Sequence, residues 1–111
     1  MTRHAVILDA AKGDFREIKK YVKQHFGNLV WADVNQEFKK TIEQITINPM
    51  LGSFIDELSG LGYDNFRKIL VRQTRIIYEF DNKHLIVHMF IHTKKDFQTH
   101  LSNRLLAPIF D

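Results

Sequence analysis

The chain has no cysteine among its 111 residues, and it has only two prolines and five glycines. Disulfide bonds and thiolate chemistry are therefore excluded, and this lack of cysteine is typical of cytoplasmic proteins. No apolar run approaches the roughly 18 residues that a membrane-spanning helix requires. The charged and apolar fractions, 26% and 44%, exclude a disordered or collagen-like chain. We therefore expect a single cytoplasmic domain over residues 1–111.

The formal net charge of +3 is distributed unevenly along the chain. Residues 1–65 hold eight Lys or Arg against nine Asp or Glu, a balance of −1, whereas residues 66–111 hold eight against four, a balance of +4. A basic excess of this kind fits either a solvated surface or a surface that binds a polyanion or an acidic protein segment. Composition alone leaves both interpretations open.

Two helices are predicted in the first half of the chain. Asp14-x-x-Glu17 resembles a helix start, and Lys12-Gly13 before it indicates a break. Apolar residues then recur at helical spacing: Phe15, Ile18, Tyr21, Val22 and Phe26 in the first helix, and Trp31, Val34, Phe38, Ile42 and Ile45 in the second. Gly27-Asn28 separates the two runs, so the two helices should form an antiparallel hairpin.

Strands are predicted at the start of the chain and in its second half. A first strand covers residues 4–8, and residues 66–71, 75–80 and 85–92 form a three-stranded meander. A last helix carries Phe97, Leu101 and Leu105. The resulting order, β-α-α-β-β-β-α, predicts a two-layer α+β fold in which the helix hairpin covers one face of an antiparallel sheet. The other sheet face is expected to remain partly open.

Three histidines, His84, His88 and His92, recur every fourth residue in the last predicted strand. Residues four apart on a strand stand roughly 13 Å apart, whereas zinc ligands lie about 2 Å from the metal. We therefore predict neither a metal site nor a cofactor. Strand alternation predicts that Ile86, His88, Phe90 and His92 face the open side and that Leu85, Val87, Met89 and Ile91 face the helices.

Basic, tyrosine and histidine side chains on an open sheet face would suit metal-free cleavage of RNA. A base would take the 2′-hydroxyl proton, an acid would protonate the leaving 5′-oxygen, and cations would stabilise the charged phosphorus. The candidate catalytic residues are His92, His88, Tyr78, Arg75 and Arg72. The alternative is that the histidines are structural and Tyr78 is a core ring, and the face that carries Tyr78 depends on the strand register.

Four segments together resemble the RelE/ParE superfamily of toxins from bacterial type II toxin–antitoxin modules. They are Asn48-Pro-Met-Leu-Gly52, Phe66-Arg-Lys-Ile-Leu-Val71, Arg75-Ile-Ile-Tyr-Glu-Phe80 and His92-Thr-Lys-Lys-Asp96. The resemblance implies a growth-inhibiting toxin that is neutralised by a small antitoxin, whose acidic, partly disordered segment wraps it. Operator DNA would be bound only through the antitoxin, and no membrane is involved. The candidate antitoxin- or target-binding residues are Arg67, Lys68, Arg72, Arg75, Lys94 and Lys95.

The superfamily contains ParE-like toxins, which poison DNA gyrase, and RelE-like toxins, which cut messenger RNA in the ribosomal A site. We favour the ParE-like branch, because the ending His92-x-Lys-Lys-Asp96 is closer to its pattern and residues 53–65 carry no basic residue. The alternatives are a RelE-like endoribonuclease and a nucleic-acid-binding domain without toxicity. The latter requires aromatic rings exposed among cations, for which the candidates are Phe66, Tyr78, Phe90 and Phe97.

Overall fold

The computed structural model describes residues 3–60, 62 and 65–110, except the side chains of residues 105–110. Strand β1 (His4–Ile7) leads into helix α1 (Asp9–Ile47), and Pro49–Leu51 forms a 3-10 turn. Strand β2 (Ser53–Phe54) and a second 3-10 turn (Asp56–Leu58) precede β3 (Arg67–Val71), β4 (Thr74–Phe80) and β5 (His84–His92). Helix α2 covers Phe97–Phe110.

Helix α1 is interrupted by a sharp bend at Gly27, so it consists of two helical arms that meet at this residue, without the two-residue connection that we predicted. Gly27 adopts φ 89° and ψ 174°, a conformation that glycine tolerates because it lacks Cβ. The Phe15 ring consequently lies 5.4 Å from the Trp31 ring and 5.2 Å from the Phe38 ring. In a straight helix Phe15 and Phe38 would be about 35 Å apart. The predicted hairpin is thus correct only in outline.

The start of α1 is also different from the prediction. The helix begins at Asp9, after Leu8 in an extended conformation, and Gly13 lies inside it. Asp9 in the first turn interacts favourably with the helix dipole, and Ala10, Ala11 and Lys12 are strong helix formers. Asp14 therefore does not cap the helix, and its carboxylate is available for a contact with the sheet.

The sheet is five-stranded and mixed, with the order β1-β5-β4-β3-β2. The predicted meander is present as the antiparallel strands β3, β4 and β5, while β1 pairs with β5 in parallel. Residues Ser53–Phe54, outside the predicted strands, form the short edge strand β2, which pairs with β3. Helix α1 covers one face through a core that includes Phe38, Ile45, Ile76 and Leu85.

The second sheet face is covered, which corrects the prediction of a partly open face. Ile77, Met89 and Ile91 on this face are at most 4% exposed. They pack against residues of three other segments: Ile55 and Leu58 at and in the second 3-10 turn, Phe66 before β3, and Phe97 and Leu101 of α2. Two members of the predicted stripe of α2 are therefore confirmed as buried, whereas the side chain of Leu105 lies outside the described residues. Among the described residues, no helix is long and apolar enough to cross a membrane.

An irregularity in the pairing of β4 with β5 overturns the predicted alternation of β5. Tyr78 pairs with Val87 and Ile77 pairs with Met89, so His88 is the extra residue of a β-bulge. Since one inserted residue reverses the faces that follow it, Phe90 joins Leu85 and Val87 in the core under α1. Met89 and Ile91, which we expected under the helices, lie on the second face instead.

Candidate functional site

Tyr78 lies at the centre of the sheet face that α1 covers, and its side chain is fully buried. Its hydroxyl donates a hydrogen bond to the Pro49 carbonyl oxygen at 2.7 Å and accepts one from the Gly52 amide at 2.9 Å. The segment Asn48–Gly52, which contributes to the superfamily resemblance, is thus held against β4 by this one hydroxyl. Burial raises the pKa of Tyr78. The hydroxyl is occupied, buried and held neutral, so it is badly placed for proton transfer.

Arg67 supports the same segment from the adjacent strand. Its guanidinium donates to the Gly52 carbonyl oxygen at 2.7 Å, and its Cζ lies 4.3 Å from the centroid of the Phe54 ring. A Cβ on Gly52 would lie 2.2 Å from the Tyr78 hydroxyl and 2.7 Å from the Lys68 carbonyl oxygen. Glycine is therefore the residue that allows this close approach, and Arg67 has a structural contact rather than a free guanidinium.

The other two predicted arginines are paired with carboxylates. Arg72, at the turn between β3 and β4, lies 2.8 Å from Glu37 of α1. Arg75, on the second sheet face, lies 2.6 Å from Glu57, and its Cζ is 5.5 Å from the centroid of the Phe97 ring. The hydrogen bond from Arg75 lowers the pKa of Glu57. Both arginines thus join the sheet to neighbouring elements.

The β-bulge separates the two histidines proposed as acid and base. His88 lies on the second face, where its Nε2 is 2.9 Å from Glu79 and its ring packs edge-on against Phe66 at 4.9 Å. His92 lies beyond the bulge, and alternation from Phe90 places it on the α1 side of the sheet. Its Nδ1 accepts a hydrogen bond from the Lys94 amide. The candidate catalytic residues therefore do not converge on one surface.

The remaining predicted binding residues differ in exposure. Lys68 pairs with Ile77 in the sheet and is half-buried, whereas Lys94 and Lys95 follow β5 and are exposed. Neither Lys94 nor Lys95 forms an ion pair within the described part of the chain. Of the six predicted basic contacts, these two lysines are thus the ones most available to a partner.

Asp14 and Arg104 bind backbone groups of β5 on the part of its edge that does not pair with β1. The sequence did not predict these contacts. Strand β1 pairs with β5 only as far as Val87. Beyond it, the Phe90 amide donates to the Asp14 carboxylate at 3.2 Å, and Arg104 of α2 donates to the His88 carbonyl oxygen at 3.1 Å. Arg104 and Asp14 also form an ion pair at 2.9 Å. This pair ties α2 to α1 and satisfies edge groups that would otherwise be free to pair with another strand.

A cavity of about 350 Å³ lies between the two arms of α1 and the ends of β1 and β5, and we call it the α1 groove. Its apolar lining is formed by Ile7, Phe15, Phe38, Ile42 and Phe90. Exposed cations border it from both arms, Lys12 and Arg16 from the first and Lys39 from the second. None of the described residues that line the groove carries a carboxylate. The groove therefore combines an apolar floor with a positive border, which suits an acidic segment that carries an apolar side chain.

Comparison with known protein families decides the identity of the chain. A sequence profile described as the ParE toxin of the type II toxin–antitoxin system parDE matches residues 6–97. The chain belongs to this family. No curated protein matches the sequence. The resemblance to the ParE-like branch is thereby confirmed, and the matched residues include the end of β1, all of α1 and strands β2 to β5 of the toxin.

Family membership gives the toxin a cognate antitoxin as its partner. Residues of three segments that carried the resemblance have a structural role, because Tyr78 bonds Pro49 and Gly52, and Arg67 bonds Gly52. The α1 groove could not be recognised in the sequence. It requires residues from both arms of a bent helix and from two strands, and the bulge that brings Phe90 into it leaves no periodic signal.

Proposed function

We propose that this toxin arrests growth by poisoning DNA gyrase and that it does not cleave RNA. The observation that carries the proposal is the dispersal of the side chains that a metal-free nuclease would need. Tyr78 is buried under α1, while His88 and His92 lie on opposite sheet faces. General acid–base catalysis requires both groups within hydrogen-bond reach of one substrate. This geometry supports the gyrase-directed activity of the ParE-like branch over the RelE-like alternative.

The proposal is tested with purified gyrase, supercoiled plasmid and ATP. The toxin should cause accumulation of plasmid cleaved by gyrase, which appears as linear DNA after the enzyme is denatured. The same preparation should leave messenger RNA intact on translating ribosomes. Ribosome-dependent cleavage that is lost in His92→Ala or Arg75→Ala would overturn the proposal, since it would identify these residues as nuclease groups.

We also propose that the acidic segment of the antitoxin binds in the α1 groove, with one bulky apolar side chain on the floor. Lys12 and Arg16 are one helical turn apart on the first arm, whereas Lys39 is on the second, so the cations lie on both sides of the floor. Carboxylates before and after the apolar side chain could therefore both find a cation. Lys94 and Lys95, being exposed, are proposed as further contacts with the antitoxin or the target.

The antitoxin encoded beside the toxin provides the probe. The charge reversals Lys12→Glu, Arg16→Glu and Lys39→Glu together should weaken the complex by more than ten-fold and reduce the salt dependence of its affinity. Lys19→Glu, Lys20→Glu and Lys23→Glu form the matched control, because they change the same charge on exposed positions of the same helix. Equal weakening by both sets would mean that the antitoxin responds to net charge and does not occupy the groove.

A further inference from the structure

The bend of α1 exposes a cluster of aromatic side chains that the sequence analysis had assigned to the buried stripe. Tyr21 is 56% exposed, Phe26 is 61% exposed and Leu29 is 86% exposed. His25 stacks on Tyr21 with ring centroids 4.1 Å apart, and the Phe26 centroid lies 6.4 Å from both rings. We call Tyr21, His25, Phe26 and Leu29 the α1 tip. The three rings form one cluster, Leu29 follows it two residues after Gly27, and no described element covers these side chains.

The turns of α1 that lead into the tip are strongly basic. Lys19 and Lys23 are one turn apart, Lys20 lies between them, and all three are exposed. Residues 16–29 contain four Lys or Arg and a single acid, Glu17. No ion pair with Lys19, Lys20 or Lys23 occurs among the residues that the structure describes. Lys23 lies three residues before Phe26 and therefore on the same helix face, and Lys19 lies one turn before Lys23. The helix leading into the tip thus carries cations without carboxylate partners in the described part of the chain.

Exposed rings beside unpaired cations are the arrangement that binds unpaired nucleotides, because bases stack on the rings while cations contact the phosphates. The four aromatic candidates from the sequence do not satisfy this requirement, since Phe66, Tyr78, Phe90 and Phe97 are all at most 5% exposed. The α1 tip satisfies it in a different part of the chain. His25 orders Tyr21 by stacking on it, and its Nδ1 lies 2.9 Å from the Tyr21 carbonyl oxygen.

We propose that the α1 tip binds single-stranded DNA, with Tyr21 and Phe26 stacking on bases and Lys19, Lys20 and Lys23 contacting phosphates. The biological source of that strand rests on the proposed function, because the DNA that gyrase cleaves would supply it. Binding to an isolated strand requires no gyrase. A failure of the tip to bind DNA is therefore distinguishable from a failure of gyrase poisoning.

The stacking contribution is tested by fluorescence anisotropy with a 5′-labelled 20-nucleotide oligothymidylate. Tyr21→Ala and Phe26→Ala should each weaken binding about ten-fold, within the range measured for base–aromatic stacking. Tyr21→Phe should retain wild-type affinity, because it keeps the ring. Phe54→Ala is the matched control, since Phe54 is an exposed aromatic on β2, 59% exposed and outside the tip. A loss in Phe54→Ala as large as in Tyr21→Ala would overturn the assignment.

The phosphate contacts are tested through the salt dependence of the same affinity. Each phosphate contact on a single strand contributes about 0.7 to the slope of log K against log salt concentration. Replacing Lys19, Lys20 and Lys23 by Gln should therefore reduce that slope by about 2. The triple Gln variant of Lys12, Arg16 and Lys39 removes the same charge from the α1 groove and should leave most of the slope.

Three further probes decide which ligand the tip prefers. Oligouridylate of the same length, a blunt DNA duplex and vesicles containing phosphatidylglycerol present the same negative charge in different chemical settings. Weaker binding of all three than of oligothymidylate supports the proposal. Equal or tighter binding of any of them would overturn it, by assigning the surface to RNA, to duplex DNA or to an anionic membrane. Because Tyr21 and Phe26 are exposed, their Ala variants should unfold at the wild-type urea concentration, which verifies that folding is retained.

Discussion

Replacement of Tyr78 by Phe separates a structural role of this residue from a catalytic one. The substitution keeps the buried ring and removes only the hydroxyl, which bonds the Pro49 carbonyl and the Gly52 amide at 2.7 and 2.9 Å. Both partners belong to buried residues, so neither should recover a hydrogen bond from bulk water. The variant therefore measures what the hydroxyl contributes to folding.

The expected cost follows from the two groups that lose their partner. A buried polar group without a hydrogen bond costs about 1–3 kcal/mol, so two such groups lower the free energy of unfolding by roughly 2–6 kcal/mol. That is a large fraction of the roughly 5–15 kcal/mol by which domains of this kind are stable. The melting temperature should accordingly fall by about 8 °C or more. Gyrase poisoning per folded molecule should not change, because the hydroxyl contacts only the protein's own backbone.

Urea unfolding monitored by circular dichroism measures this cost. Tyr21→Phe is the matched control, since it removes the hydroxyl of a tyrosine that is 56% exposed and should change stability by less than about 0.5 kcal/mol. If both variants unfold at the same urea concentration, the two hydrogen bonds do not stabilise the fold and the reasoning fails. A Tyr78→Phe protein that is fully stable yet non-toxic would restore a catalytic role for the hydroxyl.

Three further substitutions test the local packing in the same urea series. Gly52→Ala should destabilise at least as much as Tyr78→Phe, because the added Cβ would lie 2.2 Å from the Tyr78 hydroxyl, and wild-type stability in this variant would contradict the close approach. Gly13→Ala should stabilise the protein by about 0.5–1 kcal/mol, because alanine favours the helix and its added Cβ would lie no closer than 3.9 Å to a neighbouring atom. A loss of stability in this variant would contradict the early start of α1. Glu57→Gln should remove one pH dependence of the free energy of unfolding, because Arg75 lowers the pKa of Glu57 in the folded protein. In the wild type, the stabilisation by this ion pair is complete above the ordinary pKa of 4.5 and is lost as the pH falls below it. At this partly exposed site the difference should be below about 1 kcal/mol, and parallel stability profiles from pH 3 to 7 would exclude the contribution.

The elements that depend on local sequence were predictable, and those that depend on distant residues were not. The strands β3, β4 and β5 and the end of α1 at Ile47 follow from strand periodicity and from Asn48-Pro49. The start of α1 was misplaced because Asp14 resembles a cap, whereas its carboxylate bonds the amide of Phe90, 76 residues further along the chain. Similarly, helical spacing does not reveal that Tyr21 and Phe26 are exposed.

The faces of β5 were predicted incorrectly for a more specific reason, the bulge at His88. Strict alternation along β5 put His88 and His92 together on one face, and a single inserted residue separated them. Nothing in the run Leu85-Ile-Val-His-Met-Phe-Ile-His92 reveals the insertion, because apolar residues occupy both faces. The bulge becomes explicable only in three dimensions, where Asp14 accepts from the Phe90 amide and Arg104 binds the His88 carbonyl oxygen.

The charge balance along the chain also failed to predict which basic surfaces the fold leaves accessible to a partner. Arg72, Arg75 and Arg104 belong to the basic second part of the sequence, yet each forms an ion pair with an acid from the first part. The acids concerned are Glu37, Glu57 and Asp14, and because they are paired with these arginines they do not neutralise the cations of residues 1–65, whose overall balance is −1. With these three acids paired elsewhere, the cations of α1 exceed the acids left to balance them. The positive surfaces open to a partner are therefore on the helix, beside the α1 groove and the α1 tip, as well as at Lys94 and Lys95, rather than on the sheet face that we expected to remain partly open.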